Sequence, residues 1–471
     1  MSYICKTEGL LPGAKLMTVL EAIDSAEKGP ICTEREFDSK MIGPKARQIC
    51  EDFDIEYDPD DVVPADDSLA DEVFEAGLRL ALETGLYCRN SSRIIKFTES
   101  ELKESIIAAP DRLVLGAGKD AVTMRSREVE SSLRPLIGGG GCGQPVTEDL
   151  FVSTFAAMAR NPIIDVFSGS LTLSEVYGRH VQSGSPLEVL LVKREMELCK
   201  EGLRVVGRPG MHLIIGGGPT ALSSIPACSS DGGFSRTDGH LIGILPEMKT
   251  DYTRLSLALH LMDYGAISIA LVTPMIGYAG GPEVSAIIGV ASNLLSASAY
   301  GVKYFSIEPM DLAYPSCSTT RKCIWVENVV GQAFSRNTRA LMISSLITAA
   351  GLCTDMILYE TAAVTIGNVP SGFSMITGVG ASSTKNVNGS GALEGKFMGE
   401  CAKASVSLKR SEARPIVLQL LKKYEDRSKN PPRGLLFPEC YDTKTGIPFE
   451  KTESVYEQIK ADLTNMGLRF P

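Results

Sequence analysis

The stretch of sequence that decides the fold runs from residue 266 to 308: AISIALVTPMIGYAGGPEVSAIIGVASNLLSASAYGVKYFSIE. It contains an apolar run at Ala266–Thr273, a loop with two prolines and three glycines, a run with helical spacing at Val284–Tyr300, and a second apolar run at Val302–Glu308. Short apolar runs of this kind are typical of strands in a parallel sheet that helices cover on both faces. The stretch therefore predicts a strand–helix–strand unit.

The same alternation continues on the N-terminal side of this stretch. We predict a helix at Tyr252–Tyr264, strands at Asp165–Gly169 and Leu203–Gly207, and a helix at Pro186–Lys200, with His212–Ile215 extending or following the second strand. Alternation over roughly 270 residues suits a (β/α)8 TIM barrel, for which about 250 residues are typical. A doubly wound open sheet is the alternative, since alternation alone does not show that a sheet closes.

The two ends of the chain are more charged than its middle. Residues 1–134 combine an acidic connection with helical spacing at Asp71–Tyr87 and a capped helix at Thr98–Ala108. We therefore expect a mainly helical N-terminal extension at 1–134, packed on a barrel at 135–407. We expect residues 408–471 to form a helical C-terminal tail.

The composition excludes several classes of protein. A net charge of −10, with no basic stripe, argues against nucleic-acid binding. Two uncharged stretches, Gly265–Pro282 and Val284–Val302, are long enough for a membrane span, but glycine and proline interrupt the first and Asn293 the second. Twelve irregularly spaced cysteines and the lack of a signal peptide predict a cytoplasmic protein with free thiols.

Familiar metal and nucleophile motifs are missing from the sequence. The four histidines have no His-x3-His spacing and no Cys-x2-Cys pair occurs, so we predict no metal site. No Gly-x-Ser-x-Gly elbow indicates a serine hydrolase. The run Gly216-Gly217-Gly218 lacks a following Lys-Ser/Thr pair, which favours a tight turn over a phosphate-binding loop.

Several segments, in the same order along the chain, resemble the archaeal monomethylamine methyltransferases. The most specific is VVGRPGMHLIIGGGP at 205–219, followed by GYAGG at 277–281, with shorter matches at 83–88, 115–122, 144–151, 397–400 and 439–442. The resemblance implies a TIM barrel in a homo-oligomer, with a deep cavity that faces a separate corrinoid protein. It further implies methyl transfer from nitrogen to reduced cobalt held by that partner, with no cofactor bound tightly by the chain itself.

The chain departs from this family where the family's reactive groups lie. The segment that carries pyrrolysine in the family holds ordinary residues here, mostly glycine and aliphatics. The strand at Ile269–Pro274 has no carboxylate where the family has a glutamate, and Ser344–Thr348 replaces an Asn-Gln-Tyr-Tyr-Pro segment. No catalytic residue can therefore be carried over. We expect a rebuilt pocket on a retained barrel.

A rebuilt pocket favours a methylated amine other than monomethylamine. A quaternary ammonium carries a fixed positive charge and leaves as a neutral amine, so it needs an anionic or aromatic pocket rather than a covalent catalyst. The leading hypothesis is a corrinoid-dependent methyltransferase without pyrrolysine. The alternatives are a non-catalytic barrel that binds an amine or a corrinoid partner, and a TIM-barrel enzyme of another class, such as a lyase.

Five pocket candidates follow strands or replace the pyrrolysine segment. His212, Ile214 and Gly216 lie in that segment, where His212 would orient or protonate a substrate. Tyr278 would form one wall of an ammonium cage and Glu283 would supply charge. The alternatives are a structural hydrogen bond for His212 and stabilisation of a helix N-terminus for Glu283.

Four further candidates follow the strand that ends at Ile307. Glu308, Asp311 and Tyr314 place two carboxylates and a phenol in one loop, which would bind an ammonium or supply acid and base. Exposure of the loop to solvent is the alternative. Arg321 would bind a substrate carboxylate or, alternatively, form a salt bridge near a helix start.

Overall fold

The computed structural model describes residues 14–216, 220–380 and 386–470. Its centre is a barrel of eight parallel strands, named in chain order β1 (Leu136–Gly139), β2 (Val166–Ser168), β3 (Leu213–Ile215), β4 (Gly239–Gly243), β5 (Ile267–Leu271), β6 (Phe305–Ile307), β7 (Met342–Ile347) and β8 (Met375–Gly380). Each strand pairs with its sequence neighbours, and β1 pairs with β8. A parallel bridge between Ile269 and Tyr304 joins β5 to β6 and closes the ring. The predicted barrel is confirmed, and the open sheet is excluded.

One helix follows each strand. They are α1 (Glu148–Ala159), α2 (Glu188–Val205), α3 (Ala221–Ala227), α4 (Tyr252–Tyr264), α5 (Pro282–Tyr300), α6 (Arg321–Asn337), α7 (Asp355–Asn368) and α8 (Leu393–Ser405). Every residue of α5 except Glu283 is buried, which explains why this uncharged stretch has no polar face. Within the described ranges, no helix combines the length and the hydropathy that a membrane crossing requires.

The strand predicted at Leu203–Gly207 is wrong, because α2 continues to Val205. The adjacent valines suggested a strand, but Leu203 is buried on the inner face of the helix while Val205 is 59% exposed. The helix ends before Gly207, whose φ of +71° suits glycine. The following strand, β3, is only three residues long.

The region before β1 is mostly helical but also contributes strands. Thr98 caps its helix as predicted, since its hydroxyl lies 2.8 Å from Glu101 Oε2 in a capping box. The elements are helices at Ala14–Lys28, Glu34–Glu36, Phe37–Ile42 (a π-helix), Gly43–Asp52, Asp67–Thr84, Glu99–Ile107 and Gly118–Asp120 (a 3-10 turn), with strands at Leu86–Cys88, Arg93–Ile95, Arg112–Leu115 and Val122–Arg125.

The hairpin formed by Arg112–Leu115 and Val122–Arg125 closes the N-terminal end of the barrel. Its Leu115 and Met124 are fully buried against the inward-facing side chains of the strands. The side chains that fill this half include Val166, Ile214, Ile267, Ile269, Tyr304, Leu341, Ile343 and Met375. Access to the barrel interior is therefore from the opposite, C-terminal end.

The chain after α8 folds into helices that pack on the barrel. They are Arg410–Tyr424, Phe437–Cys440 and Glu450–Asn465, with a 3-10 turn at Glu425–Arg427. The hydroxyl of Tyr359 in α7 donates to Asp462 at 2.6 Å, and that of Tyr456 donates to Glu400 in α8 at 2.6 Å.

The connections between the barrel strands and helices contain further short elements. They are strands at Glu175–Val176, Arg179–His180, Lys249–Thr250, Met275–Ile276 and Met310–Asp311, and a 3-10 turn at Ser230–Gly232.

Candidate functional site

The C-terminal half of the barrel interior is lined by small side chains. Side chains alternate along a strand, so residues two positions beyond the filled half also face inward. A Cβ built on Gly138 would lie 2.8 Å from Thr377 Cγ2 and 3.0 Å from Ser168 Cβ, which shows that these residues face one another. The inward set near the strand ends consists of the small residues Gly138, Ser168, Gly216, Gly243, Ser306, Ser345 and Thr377, together with Leu271.

These small side chains leave space at the C-terminal face. Gly216 is exposed, and a Cβ added there would meet nothing within 4 Å. A Cβ on Gly243 would meet only Leu271 Cδ2, at 3.8 Å. TIM-barrel enzymes hold their active sites at this face. We therefore take this cavity as the candidate site.

Glu308 brings a carboxylate into this part of the barrel. It directly follows β6, and its Oε2 accepts a hydrogen bond from the hydroxyl of Ser345 in the neighbouring strand β7. The residue is partly buried. Burial raises the pKa of Glu308 to about 7, and the Ser345 hydrogen bond opposes that rise. A bound cation would favour the ionised form.

Cys142 lies at the same, C-terminal end of the barrel. It follows β1, next to Gly380 at the end of β8, and a Cβ on Gly380 would come within 2.5 Å of Cys142 Cβ. Burial and the nearby Glu308 carboxylate raise the pKa of the Cys142 thiol well above its usual range. The ends of β1, β8, β7 and β6, which are consecutive around the barrel, thus carry a thiol, a hydroxyl and a carboxylate.

The structure separates His212 and Ile214 from this cavity. His212 precedes β3 at the filled end of the barrel, fully buried, with Nδ1 2.5 Å from the Thr237 carbonyl oxygen and Nε2 3.3 Å from the Tyr304 hydroxyl. Burial lowers its pKa to about 4, so the ring is neutral at pH 7. Ile214 packs in the filled half. Of this segment only Gly216 borders the cavity, while 217–219 lie outside the described residues.

Tyr278 contacts the N-terminal extension. It is 51% exposed, its hydroxyl lies 3.1 Å from Asp38 Oδ2, and its ring centroid is 5.9 Å from Lys249 Nζ. Glu283 lies in the first turn of α5, where its carboxylate occupies the space beside Gly281. That position matches the helix N-terminus alternative, in which the carboxylate offsets the helix dipole.

Asp311 and Tyr314 lie in the connection that follows Glu308. Asp311 belongs to a two-residue strand that pairs with Met275–Ile276, and its Oδ1 accepts from the Ala313 N–H at 3.0 Å. Tyr314 is half-buried, and the ammonium of Lys429 lies 5.9 Å from its ring centroid. The role of Glu308, Asp311 and Tyr314 as one substrate-binding loop stays a prediction.

Arg321 joins the extension to the C-terminal tail. Its guanidinium bonds both oxygens of Glu425 at 2.8 and 2.9 Å and donates to the Pro59 carbonyl oxygen at 2.7 Å. This geometry matches the salt-bridge alternative.

Sequence reasoning missed Ser345 and Cys142. Ser345 belongs to the segment that lacks the family's amide and phenols, yet it lies beside Glu308 because β6 and β7 are neighbours. Cys142 stands in the run 138–143, where the other five residues are glycines. Such a run marks a close approach of backbone and was the available signal.

Comparisons with known proteins agree with the resemblance seen in the sequence. A family model described as "Monomethylamine methyltransferase MtmB" matches residues 17–468. Monomethylamine methyltransferase MtmB1 of Methanosarcina barkeri is 31% identical over 450 residues, covering 95% of this chain and 97% of the relative. MtmB of Methanosarcina mazei is 30% identical over the same shares of the two chains.

Solved structures give the same result for the fold. The crystal structure of Methanosarcina barkeri MtmB superposes with a TM-score of 0.92 at 30% identity, covering 96% of this chain and 98% of that one. A crystal structure of a hydroxylamine MtmB complex matches equally well.

Proposed function

Because this chain belongs to the monomethylamine methyltransferase family, we propose that it moves a methyl group from a methylated amine to the Co(I) of a separate corrinoid protein, without pyrrolysine. The observation that carries the proposal is Glu308, a carboxylate at the end of β6 in a cavity lined by small side chains. Methylated amines are cations at neutral pH. An enclosed carboxylate is the partner that a small cation requires.

The electrostatics of Glu308 support cation binding. Burial raises the pKa of Glu308 to about 7, so the ionised form of this carboxyl is disfavoured in the free protein. A bound ammonium would favour the ionised form and lower the pKa. The Ser345 hydroxyl, bonded to Oε2, fixes the orientation of the carboxylate for this contact.

For the methyl transfer itself, the protein mainly has to position the amine. Reduced cobalt, supplied by the partner, is the nucleophile of an in-line displacement, and the amine is the leaving group. The chain has to hold the nitrogen, direct one methyl group toward the C-terminal opening and exclude water. Gly216 and Gly243, which present little side-chain bulk there, allow a large planar group to approach closely. We also propose that the protein forms a homo-oligomer and works in the cytoplasm.

Among methylated amines, a quaternary ammonium is the substrate that we prefer. Its charge does not depend on pH, and it leaves as a neutral amine without a proton transfer. The pocket for it would consist of Glu308 and small neutral side chains, since Tyr278 contacts Asp38. Transfer from an amine that carries N–H groups would use the same carboxylate as a hydrogen-bond acceptor.

The proposal is tested by mixing the protein with the reduced corrinoid protein and a panel of methylated amines while the cobalt spectrum is recorded. The panel contains mono-, di- and trimethylamine and tetramethylammonium. We expect at least one member to change the spectrum at a rate that depends on the enzyme. No change with any member would contradict the proposed transfer. Amine binding by calorimetry in that case would support the non-catalytic alternative.

A further inference from the structure

Another cavity lies outside the ring of strands, away from the candidate amine site. It has a volume of about 290 Å³ and lies between α8, the tail helix Glu450–Asn465 and the turn that leads into β2. Because residues 161–163 of that turn precede β2, the cavity is at the N-terminal end of the barrel, whereas Glu308 follows β6 at the opposite end. The residues that matter in its lining are Asn161, Lys396, Glu400, Lys403, Lys460 and Phe470.

Three lysines share this cavity with one carboxylate. Lys396, Glu400 and Lys403 stand at positions i, i+4 and i+7 of α8, so they lie on one face of the helix. The tail helix adds Lys460. Three positive charges therefore face one negative charge, on a chain whose net charge is −10. A local charge of this sign favours an anionic ligand.

Glu400 leaves most of this positive charge unbalanced. Its Oε2 already accepts from the Tyr456 hydroxyl at 2.6 Å and lies 2.7 Å from Lys460 Nζ. Its Oε1 is 3.8 Å from Lys396 Nζ, which is beyond hydrogen-bond distance. Among the residues that the structure describes, none forms an ion pair with Lys403. The ammonium groups of Lys396 and Lys403 thus keep their N–H donors for a ligand.

Aromatic rings hold two of the ammonium groups in place. Lys396 Nζ lies 4.7 Å from the centroid of the Tyr456 ring, and Lys460 Nζ lies 5.1 Å from that of Phe470. A cation over the face of a ring is attracted electrostatically, which restricts an otherwise mobile side chain. The positive charge of the cavity is therefore partly ordered before a ligand arrives.

Asn161 adds an uncharged donor from the turn before β2. Its Oδ1 accepts from the Ile163 N–H at 3.0 Å, so the amide nitrogen is the side-chain atom left for a ligand. The cavity is therefore rich in donors, and its one carboxylate is already bonded. A cationic ligand would leave the ammonium groups without partners, whereas an anion with several oxygens would satisfy them.

We propose that this cavity binds a small organic phosphate, whose phosphate group contacts Lys396 and Lys403 and whose organic part packs on Phe470. A phosphate monoester carries a charge of about −1.5 to −2 at pH 7, which matches the surplus of positive charge in the lining. A volume of about 290 Å³ is close to that of small-molecule sites, which supports an ester over free phosphate. This inference does not depend on the proposed methyl transfer.

The test is a calorimetric titration of the full chain with phenyl phosphate and with inorganic phosphate. We expect phenyl phosphate to bind with a Kd below about 1 mM at low ionic strength, and inorganic phosphate to bind about tenfold more weakly, because it lacks the apolar contact with Phe470. Salt at about 0.5 M should weaken both, since the lysines are partly exposed. No binding of phenyl phosphate at about 10 mM would overturn the proposal.

Neutral substitutions of the lysines show where the anion binds. Lys396→Gln and Lys403→Gln should each raise the Kd of phenyl phosphate about tenfold, as expected for the loss of one charge-assisted hydrogen bond. Lys422→Gln is the matched control, at an exposed lysine of the tail helix Arg410–Tyr424, and should leave the Kd unchanged. The wild-type Kd in both cavity variants would show that the anion binds elsewhere, and would overturn the proposal.

Two further variants have effects that a general loss of structure would not produce. Glu400→Gln should lower the Kd of phenyl phosphate severalfold, because it removes the negative charge of the cavity and frees Lys460. Phe470→Ala should bring the Kd of phenyl phosphate close to that of inorganic phosphate. A weaker affinity in folded Glu400→Gln, or an unchanged preference for phenyl phosphate in Phe470→Ala, would contradict the proposed contacts.

Discussion

The hydroxyl of Ser345 donates a hydrogen bond to Glu308 Oε2, which joins the C-terminal ends of β7 and β6. These strands are adjacent in register, with Ile307 paired to Ser344, so the contact follows from the barrel itself. It fixes one oxygen of a carboxylate that has no ion pair with any residue within 14–216, 220–380 and 386–470.

Glu308→Gln should stabilise the fold at alkaline pH. The folded-state pKa of about 7 lies above the ordinary value of 4.5, so Glu308 costs stability as pH rises between these values and most of all above pH 7. The substitution should raise the free energy of unfolding by on the order of 2 kcal/mol at pH 8 and by little at pH 4.5. Urea unfolding at the two pH values measures this. Equal effects at both would show that Glu308 is ordinarily solvated.

Amine binding should depend on pH in the direction set by Glu308. A cation prefers the ionised carboxylate, so affinity for tetramethylammonium should rise about tenfold per pH unit below pH 7 and level off above it. This ligand does not titrate, which leaves the protein as the source of the change. Calorimetry between pH 5 and 9 records the profile. A flat profile in the wild type would rule out Glu308 as the counter-ion.

Two glycines that face the barrel interior should respond differently to substitution. Gly216→Val should change stability by less than about 1 kcal/mol, because its Cβ position is open, but should weaken amine binding or transfer by narrowing the cavity. Gly138→Ala should destabilise by about 1–3 kcal/mol, because its Cβ would lie 2.8 Å from Thr377 Cγ2. Thermal unfolding and amine titration of both variants check this. Full amine binding by Gly216→Val would place the cavity elsewhere.

Arg321→Gln should lower stability without changing amine affinity. It removes a bidentate contact with Glu425 and a hydrogen bond to Pro59, worth about 1 kcal/mol for a partly exposed pair. Arg339→Gln is the control, since Arg339 is 85% exposed and 3.6 Å from Asp111. Urea unfolding measures the change in stability, and calorimetry measures amine affinity. Loss of amine binding in Arg321→Gln would restore its predicted role at the substrate.

Sequence patterns predicted the barrel because its strands and helices are strongly periodic. The helix at Tyr252–Tyr264 has the predicted bounds, and closure is consistent with the even alternation of units. The strand at Leu203–Gly207 failed because two adjacent valines outweighed the helical spacing that precedes them. Local apolar runs cannot by themselves distinguish the buried end of a helix from a strand.

The candidate site was predicted only in part, because strand ends converge through topology. Glu308 and Gly216 lie at the C-terminal end of the barrel, and their place in a substrate pocket stays a prediction. His212 does not lie there, because it precedes its strand and so lies at the filled end. Ser345 meets Glu308 only because β7 and β6 are neighbours around the ring, and this order is not visible along the chain.

The central claim is that Glu308 holds a methylated ammonium for transfer of its methyl group to cobalt. Single-turnover transfer from the best amine of the panel to the reduced corrinoid protein tests it most directly, in the wild type, in Glu308→Gln and in Glu360→Gln. Glu360 is the matched control, a buried carboxylate that accepts from the Ala349 and Ala350 N–H groups. We predict that Glu308→Gln loses at least 100-fold in rate, about 2.7 kcal/mol of transition-state stabilisation, while folded Glu360→Gln stays within about tenfold of the wild type. Transfer by Glu308→Gln at the wild-type rate would contradict the account.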